Sequence, residues 1–164
     1  MSGKHSGSRL HARLLREPVH FLALGFGSGL SPFAPGTFGT LAAIPIYLIC
    51  RPFSLSVYLV ITALLFVIGI AICGFSARKL GVHDHPGIVW DEVVGYLVTM
   101  TAAPVGWQWV VIGFVLFRFF DIIKPWPIRV IDRRVEGGFG IMFDDLLAGM
   151  MAALLLQGGV WWLG

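Results

Sequence analysis

The stretch from Leu55 to Phe75 reads LSVYLVITALLFVIGIAICGF and contains no charged residue. A helix of about 20 consecutive apolar residues matches the hydrocarbon thickness of a bilayer. Arg78 and Lys79 follow directly, as is typical of a membrane span that ends at a polar surface. This stretch therefore predicts a transmembrane helix, and it is the starting point for interpreting the rest of the chain.

The composition of the whole chain agrees with a membrane protein. Of 164 residues, 57% are hydrophobic and only 13% are charged, roughly half the charged fraction that is usual in soluble proteins. Further apolar stretches lie at 88–103, 107–123 and 141–163. We predict an all-α, polytopic membrane bundle of about four to five spans. A basic cytoplasmic tail at 1–18 would precede a single membrane-embedded domain at 19–164, in which 19–50 forms either a full span or a re-entrant pair.

The basic residues indicate the orientation of the bundle. If the chain crosses about five times, the basic groups at 4–16, 78–79 and 118–134 share one side, and Arg51 lies on the other. The positive-inside rule places the first side in the cytoplasm. The acidic residues were not used in this assignment, yet six of them reach the same face: Asp84, Asp91, Glu92, Asp121, Asp144 and Asp145.

The acidic residues form pairs at the starts of two apolar segments. Eight of the nine lie between positions 84 and 145, although an ionised side chain in mid-bilayer costs roughly 2.5–3.5 kcal/mol on insertion scales. Asp91 adjoins Glu92, and Asp144 adjoins Asp145. Two helices that present paired carboxylates at one depth suit a hard, oxygen-liganded cation such as Mg²⁺. The alternative is that these acids only complement the helix dipole.

Two other sets of residues are candidates for binding an anion. Arg118, Asp121 and Lys124 lie within two helical turns and either form a surface ion pair or bind a phosphoryl group beside the metal. Thr37 and Thr40 follow Pro35, at a predicted helix start where free amides and hydroxyls favour an anion. An ordinary loop is the alternative for that stretch.

Several other kinds of chemistry are excluded by the motifs. The glycines at 25, 27 and 29 do not have the dinucleotide-binding spacing, and neither a nucleophile elbow nor an H-E-x-x-H zinc helix occurs. Cys50 and Cys73 are isolated in apolar surroundings and are interpreted as structural thiols. No nucleic-acid partner is expected, because the basic residues are not interleaved with aromatic residues. Metal-assisted attack by water is the chemistry that remains.

Five sequence blocks occur in order along the chain, at 30–41, 83–86, 88–95, 117–127 and 138–149. Their resemblance to the phosphatidylglycerophosphatase A family, in order and in spacing, covers about residues 20 to 160. It implies an all-helical enzyme of the bacterial inner membrane whose active site faces the cytoplasm. Such an enzyme removes the terminal phosphate of phosphatidylglycerophosphate, a phospholipid substrate, to give phosphatidylglycerol, and it requires Mg²⁺.

The resemblance also assigns roles to residues of this chain. Its metal-ligand and water-activating positions correspond to Asp84, Asp91, Glu92, Asp144 and Asp145. Its substrate-phosphate or supporting positions correspond to Arg118, Asp121 and Lys124, with Thr37 and Thr40 as further candidates for contact with the anion. The alternative function is an ion or metabolite transporter that uses the acidic cluster as a cation site. The sequence predicts no oligomeric state.

Overall fold

The computed structural model describes residues 12–81 and 85–163, which are helical with short connections and contain no β-strand. The all-α prediction is therefore confirmed for these residues. Their seven α-helices are α1 (Pro18–Ala23), α2 (Pro35–Cys50), α3 (Leu55–Leu80), α4 (Trp90–Thr99), α5 (Trp107–Ile123), α6 (Ile128–Arg134) and α7 (Gly137–Leu163). Two 3₁₀ segments, Ala12–Arg16 and Gly25–Leu30, flank α1.

Two of the described helices are long and apolar enough to cross a membrane, one over Leu55–Leu80 and the other over Gly137–Trp162. The apolar stretch at 88–103 forms a helix shorter than the stretch itself, because α4 has only 10 residues. At 1.5 Å per residue it extends about 15 Å, half of a hydrocarbon core of about 30 Å. The number of crossings stays a prediction.

The helices bring five of their ends together at one end of the bundle. Gly36, at the start of α2, packs against Glu92 at the start of α4 and Arg118 near the end of α5. Cys73, late in α3, lies 3.8 Å through its Sγ from Sδ of Met142, early in α7. The segment before α2 stays at this end, since the Val89 amide donates to the Ala23 carbonyl over 2.9 Å. Within 19–50, α2 is thus the only helix that runs through the bundle.

Helix α4 occupies the centre, and its apolar sequence suits complete burial. Every residue of α4 except Val98 is buried. Toward the other end of the bundle, the Tyr58 hydroxyl donates to the Leu97 carbonyl over 2.6 Å and the Tyr96 hydroxyl donates to the Val110 carbonyl over 3.0 Å. These bonds satisfy hydroxyls that would be costly to bury unpaired. They fix α4 against α3 and α5, and so hold the acidic residues at its start in place.

Candidate active site

Three carboxylates converge at the start of α4 and on α7, about two turns after α7 begins. Asp91 and Glu92 lie in the first turn of α4, and Asp145 lies early in α7. One oxygen from each residue falls within 4.8 Å of the others. All three residues are buried, with 8%, 9% and 3% of their surface exposed respectively. Both acidic pairs contribute to this group, as their positions in the sequence predicted, but of the second pair only Asp145 belongs to it.

The carboxylate cluster, which comprises Asp91, Glu92 and Asp145, carries strong repulsion. Asp145 is repelled by the nearby carboxylates of Asp121, Asp91 and Asp144. In addition, Oε2 of Glu92 and Oδ2 of Asp145 are buried without a hydrogen-bond donor. Buried charges of one sign with unsatisfied oxygens are costly unless a cation accompanies them.

The donor set of this cluster fits a magnesium ion. Mg²⁺ takes oxygen ligands at about 2.1 Å, so opposite ligands are about 4.2 Å apart. The three carboxylate oxygens of the cluster lie within 4.8 Å of one another. This distance exceeds the separation of opposite ligands by less than about 1 Å. The unsatisfied oxygens of Glu92 and Asp145 are available as ligands.

A guanidinium lies beside the carboxylate cluster. Nη1 of Arg118 forms an ion pair with Asp121, and it lies 3.8 Å from Oε1 of Glu92. Nε of the same side chain is buried and has no acceptor. A donor without an acceptor next to the proposed cation site is suited to a phosphate oxygen. The predicted neighbourhood of Arg118 and Asp121 with the acidic residues is present in the structure.

Lys124 connects the rim of the site to Asp144. Its Nζ donates to Oδ2 of Asp144 over 2.5 Å and to Oδ1 of Asp132 over 2.8 Å. Burial alone would lower the pKa of the Lys124 ammonium, but Asp144 and Asp132 outweigh that effect and raise its pKa above the ordinary value. The residue stays protonated at neutral pH. Its backbone is left-handed, with φ of 45° at the end of α5, and backbone strain of this kind clusters at functional sites.

The start of α2 closes the other side of the site. Ala34 is left-handed, with φ of 45°, and Pro35 occupies the first turn as predicted. Gly36 is buried so tightly that a Cβ there would overlap Oε1 of Glu92 and lie 3.0 and 3.1 Å from the two terminal nitrogens of Arg118. The Thr37 and Phe38 amides donate to the Ala34 carbonyl, so Gly36 is the residue of this turn that lies directly against the Arg118 guanidinium.

The two threonines of α2 differ in their availability. Thr37 is partly exposed in the first turn. Thr40 is buried and its hydroxyl donates to the Gly36 carbonyl over 2.9 Å, so it does not cap the helix. Contact of either residue with an anion stays a prediction. Asp84, another predicted site residue, lies outside the described residues.

Sequence reasoning missed two members of the site, Gly36 and Asp132. The glycine occurs in a stretch that was interpreted as a loop or a helix start, and its contact with Glu92 joins distant parts of the chain. Asp132 meets Lys124 across the turn between α5 and α6, eight residues away. No periodic pattern indicates either contact.

Comparisons with known proteins identify relatives over most of the chain. The family model described as Phosphatidylglycerophosphatase A matches residues 21–160. A protein named Phosphatidylglycerophosphatase A from Escherichia coli strain K12 is 49% identical, over 92% of this chain and 89% of the relative. A protein of the same name from Haemophilus influenzae is 46% identical, over 91% and 93% respectively. No solved structure matches the chain significantly.

Proposed function

This chain belongs to the phosphatidylglycerophosphatase A family, and we propose that it hydrolyses phosphatidylglycerophosphate to phosphatidylglycerol and inorganic phosphate in phospholipid biosynthesis. The observation that carries the proposal is the buried carboxylate cluster beside Arg118, which lies within the part of the chain that the family model matches. The site combines anionic ligands for a cation with a guanidinium for a phosphate. Both partners stabilise the negative charge on the phosphoryl group of a phosphate monoester.

Asp91, Glu92 and Asp145 are the proposed ligands of Mg²⁺. The short distances among their oxygens and the buried, unsatisfied atoms of Glu92 and Asp145 support this assignment. When bound, the cation supplies Lewis-acid polarisation of the phosphate and offsets part of its negative charge. Asp84 and Asp144 remain candidates for completing the ligand set or for activating water.

The protein's own side chains position the phosphate and handle the proton. The guanidinium of Arg118 donates hydrogen bonds to the phosphate oxygens. One of its donors is the buried Nε, which has no acceptor among the described residues. Lys124, which is held protonated by Asp144 and Asp132, keeps Asp144 fixed beside Asp145. A carboxylate of the site accepts a proton from the attacking water as the water oxygen bonds to phosphorus. The bond from phosphorus to the glycerol oxygen breaks, that oxygen takes up the proton and leaves as the hydroxyl of phosphatidylglycerol, and inorganic phosphate is released.

The proposed setting is the bacterial inner membrane, with about five crossings and the site at the cytoplasmic surface. The distribution of basic residues supports this orientation, since within the described ranges Arg51 is the basic residue at the end opposite the site. The basic residues near the site end include Arg16, Arg78, Lys79, Arg118, Lys124, Arg129, Arg133 and Arg134. An excess of positive charge marks the cytoplasmic side of a membrane protein.

The test is phosphate release from phosphatidylglycerophosphate in detergent micelles, first with Mg²⁺ and then with excess EDTA. We expect phosphate release to require Mg²⁺. Glu136→Gln alters an exposed carboxylate outside the carboxylate cluster. It should keep the Mg²⁺-dependent release and serves as the control for substitutions within the cluster. Folded protein that releases no phosphate under either condition would refute the phosphatase function and favour ion transport. Phosphate release that persists in excess EDTA would support the proposed substrate but refute the role of the cation.

A further inference from the structure

A groove opens between α3 and α7 because α4 is recessed behind them. Gly95 and Gly149 allow this close packing: a Cβ on Gly149 would overlap the Gly95 carbonyl and lie 3.1 Å from Cβ of Val98. Helix α4 then ends at Thr99, whereas α3 and α7 are more than twice its length. The recess leaves a channel whose floor is α4. Helix α3 forms the main wall of the half nearer the site, and α7 forms the wall of the other half.

The groove consists of two adjoining cavities of about 340 and 380 Å³ that share Val98 and Thr101. These volumes lie within the range of about 300–1,000 Å³ that is usual for ligand sites. The α3 wall includes Leu59, Ala63 and Phe66, and the α7 wall includes Met150, Ala153 and Leu154.

The polar groups that line the groove are engaged within the protein. The Thr62 hydroxyl donates to the Tyr58 carbonyl over 2.9 Å and the Thr101 hydroxyl donates to the Leu97 carbonyl over 3.5 Å. The Gln157 amide donates to the Thr101 carbonyl over 2.9 Å. With these donors engaged and the remaining lining apolar, the chemistry of the groove favours a hydrocarbon occupant.

The groove continues the face of α4 that carries Asp91. Asp91, Val94 and Val98 are spaced i, i+3 and i+7, which places them on one helical stripe. On α7, Leu146 lines the groove and directly follows Asp145. From Asp91 to Thr101 the floor extends about 15 Å. Met100 and Ala102, on either side of Thr101, line a separate cavity with Arg51. The groove therefore begins next to the carboxylate cluster and extends toward the opposite end of the bundle.

We propose, resting on the function proposed above, that this groove holds one acyl chain of the phospholipid whose phosphate monoester lies at the carboxylate cluster. The chain would run parallel to α4, with its ester end beside Val94 and its methyl end near Leu154. Because surrounding lipid is as apolar as the groove, the groove contributes alignment of the phosphate rather than hydrophobic affinity. Misplacing a reacting group by about 1 Å can cost a rate factor of about 10².

The experiment fills the groove and varies the length of the chain. Ala63→Trp and Ala153→Trp add bulk to the α3 and α7 walls, and Val115→Trp makes a similar change on the exposed face of α5. Each protein is assayed with the dihexanoyl and dioleoyl forms of phosphatidylglycerophosphate in mixed micelles. With the dioleoyl form, kcat/KM is expected to fall about tenfold in the two groove variants. With the dihexanoyl form it should change by less than about twofold in Ala153→Trp, since a short chain does not reach the lower half of the groove.

Four other results would overturn the proposal. Equal losses on both substrates in both groove variants would indicate general damage, and no loss on either would show that the groove is not used. Unchanged kinetics with an altered oligomeric state in detergent would assign the groove to a second copy of the chain. Wild-type protein that hydrolyses neither substrate would refute the phosphatase function itself, whereas wild-type activity with unaffected groove variants refutes only the acyl-chain site.

Discussion

Gly36→Ala is expected to disable the site with a single methyl group. That methyl would overlap Oε1 of Glu92 and lie 3.0 Å from the nearest terminal nitrogen of Arg118. Carbon and oxygen atoms need about 3.5 Å between them, so Glu92 has to move by about 1 Å. A displacement of that size at a reacting centre costs a factor of about 10² in rate, which corresponds to about 2.7 kcal/mol of barrier.

Stability is expected to change much less than activity in this variant. Replacing glycine by alanine in a helix gains up to about 1 kcal/mol, which offsets part of an overpacking cost of about 1–3 kcal/mol. The assay is kcat for phosphate release alongside thermal unfolding, with Gly159→Ala as the matched control because no atom lies within 4 Å of the added Cβ there. If Gly36→Ala keeps activity within about twofold of wild type, the start of α2 does not form a wall of the site.

Three further predictions concern the carboxylates, the lysine and the opposite end of the bundle. Asp145→Asn should abolish phosphate release yet raise the unfolding temperature in EDTA, by about 2–4 °C for each kcal/mol of repulsion relieved. A lower unfolding temperature would contradict the repulsion described at this residue. Asp91→Asn should likewise abolish phosphate release in protein that still folds. Lys124→Met removes the ammonium between Asp144 and Asp132, and it should lower kcat by a factor of about 10² and the unfolding free energy by about 2–3 kcal/mol. Lys124→Arg keeps the positive charge and should restore part of the stability measured by denaturant titration. Equal losses of stability in both variants would argue against a charge effect. Tyr58→Phe loses the hydrogen bond to the Leu97 carbonyl and should cost about 1 kcal/mol of stability with kcat unchanged, whereas a fall in kcat would show that the two ends of the bundle are coupled.

The long apolar helices and the acidic pairs were predictable because they are local properties of the chain. An uncharged run at 55–75 indicates a helix of spanning length on its own. Asp91 with Glu92 and Asp144 with Asp145 each occur at the start of an apolar segment, so an antiparallel bundle necessarily brings them to one end. The basic residues independently indicated the same end. Charge and hydropathy therefore predicted which residues meet, although not at what distances.

The length of α4 and the walls of the site depend on tertiary packing. Hydropathy extends the apolar segment to 103, but Ala102 is left-handed with φ of 54° and Ala103 precedes Pro104, which disfavours helical geometry. The contact of Gly36 with Glu92 and that of Asp132 with Lys124 both depend on how separate helices pack. A glycine or a surface aspartate carries no sign in the sequence that a distant partner approaches it.

The modest lengths of α2 and α5 have a consequence for the surrounding membrane. They contain 16 and 17 residues and extend about 24 and 26 Å, whereas the hydrocarbon core is about 30 Å thick. In the proposed five-crossing arrangement, the lipids along these helices must compress to cover them, at a cost of fractions of a kcal/mol per Å of mismatch. Compression draws nearby head groups toward the recessed carboxylates. In that arrangement we expect turnover to depend on bilayer thickness, separately from the amount of substrate that the membrane contains.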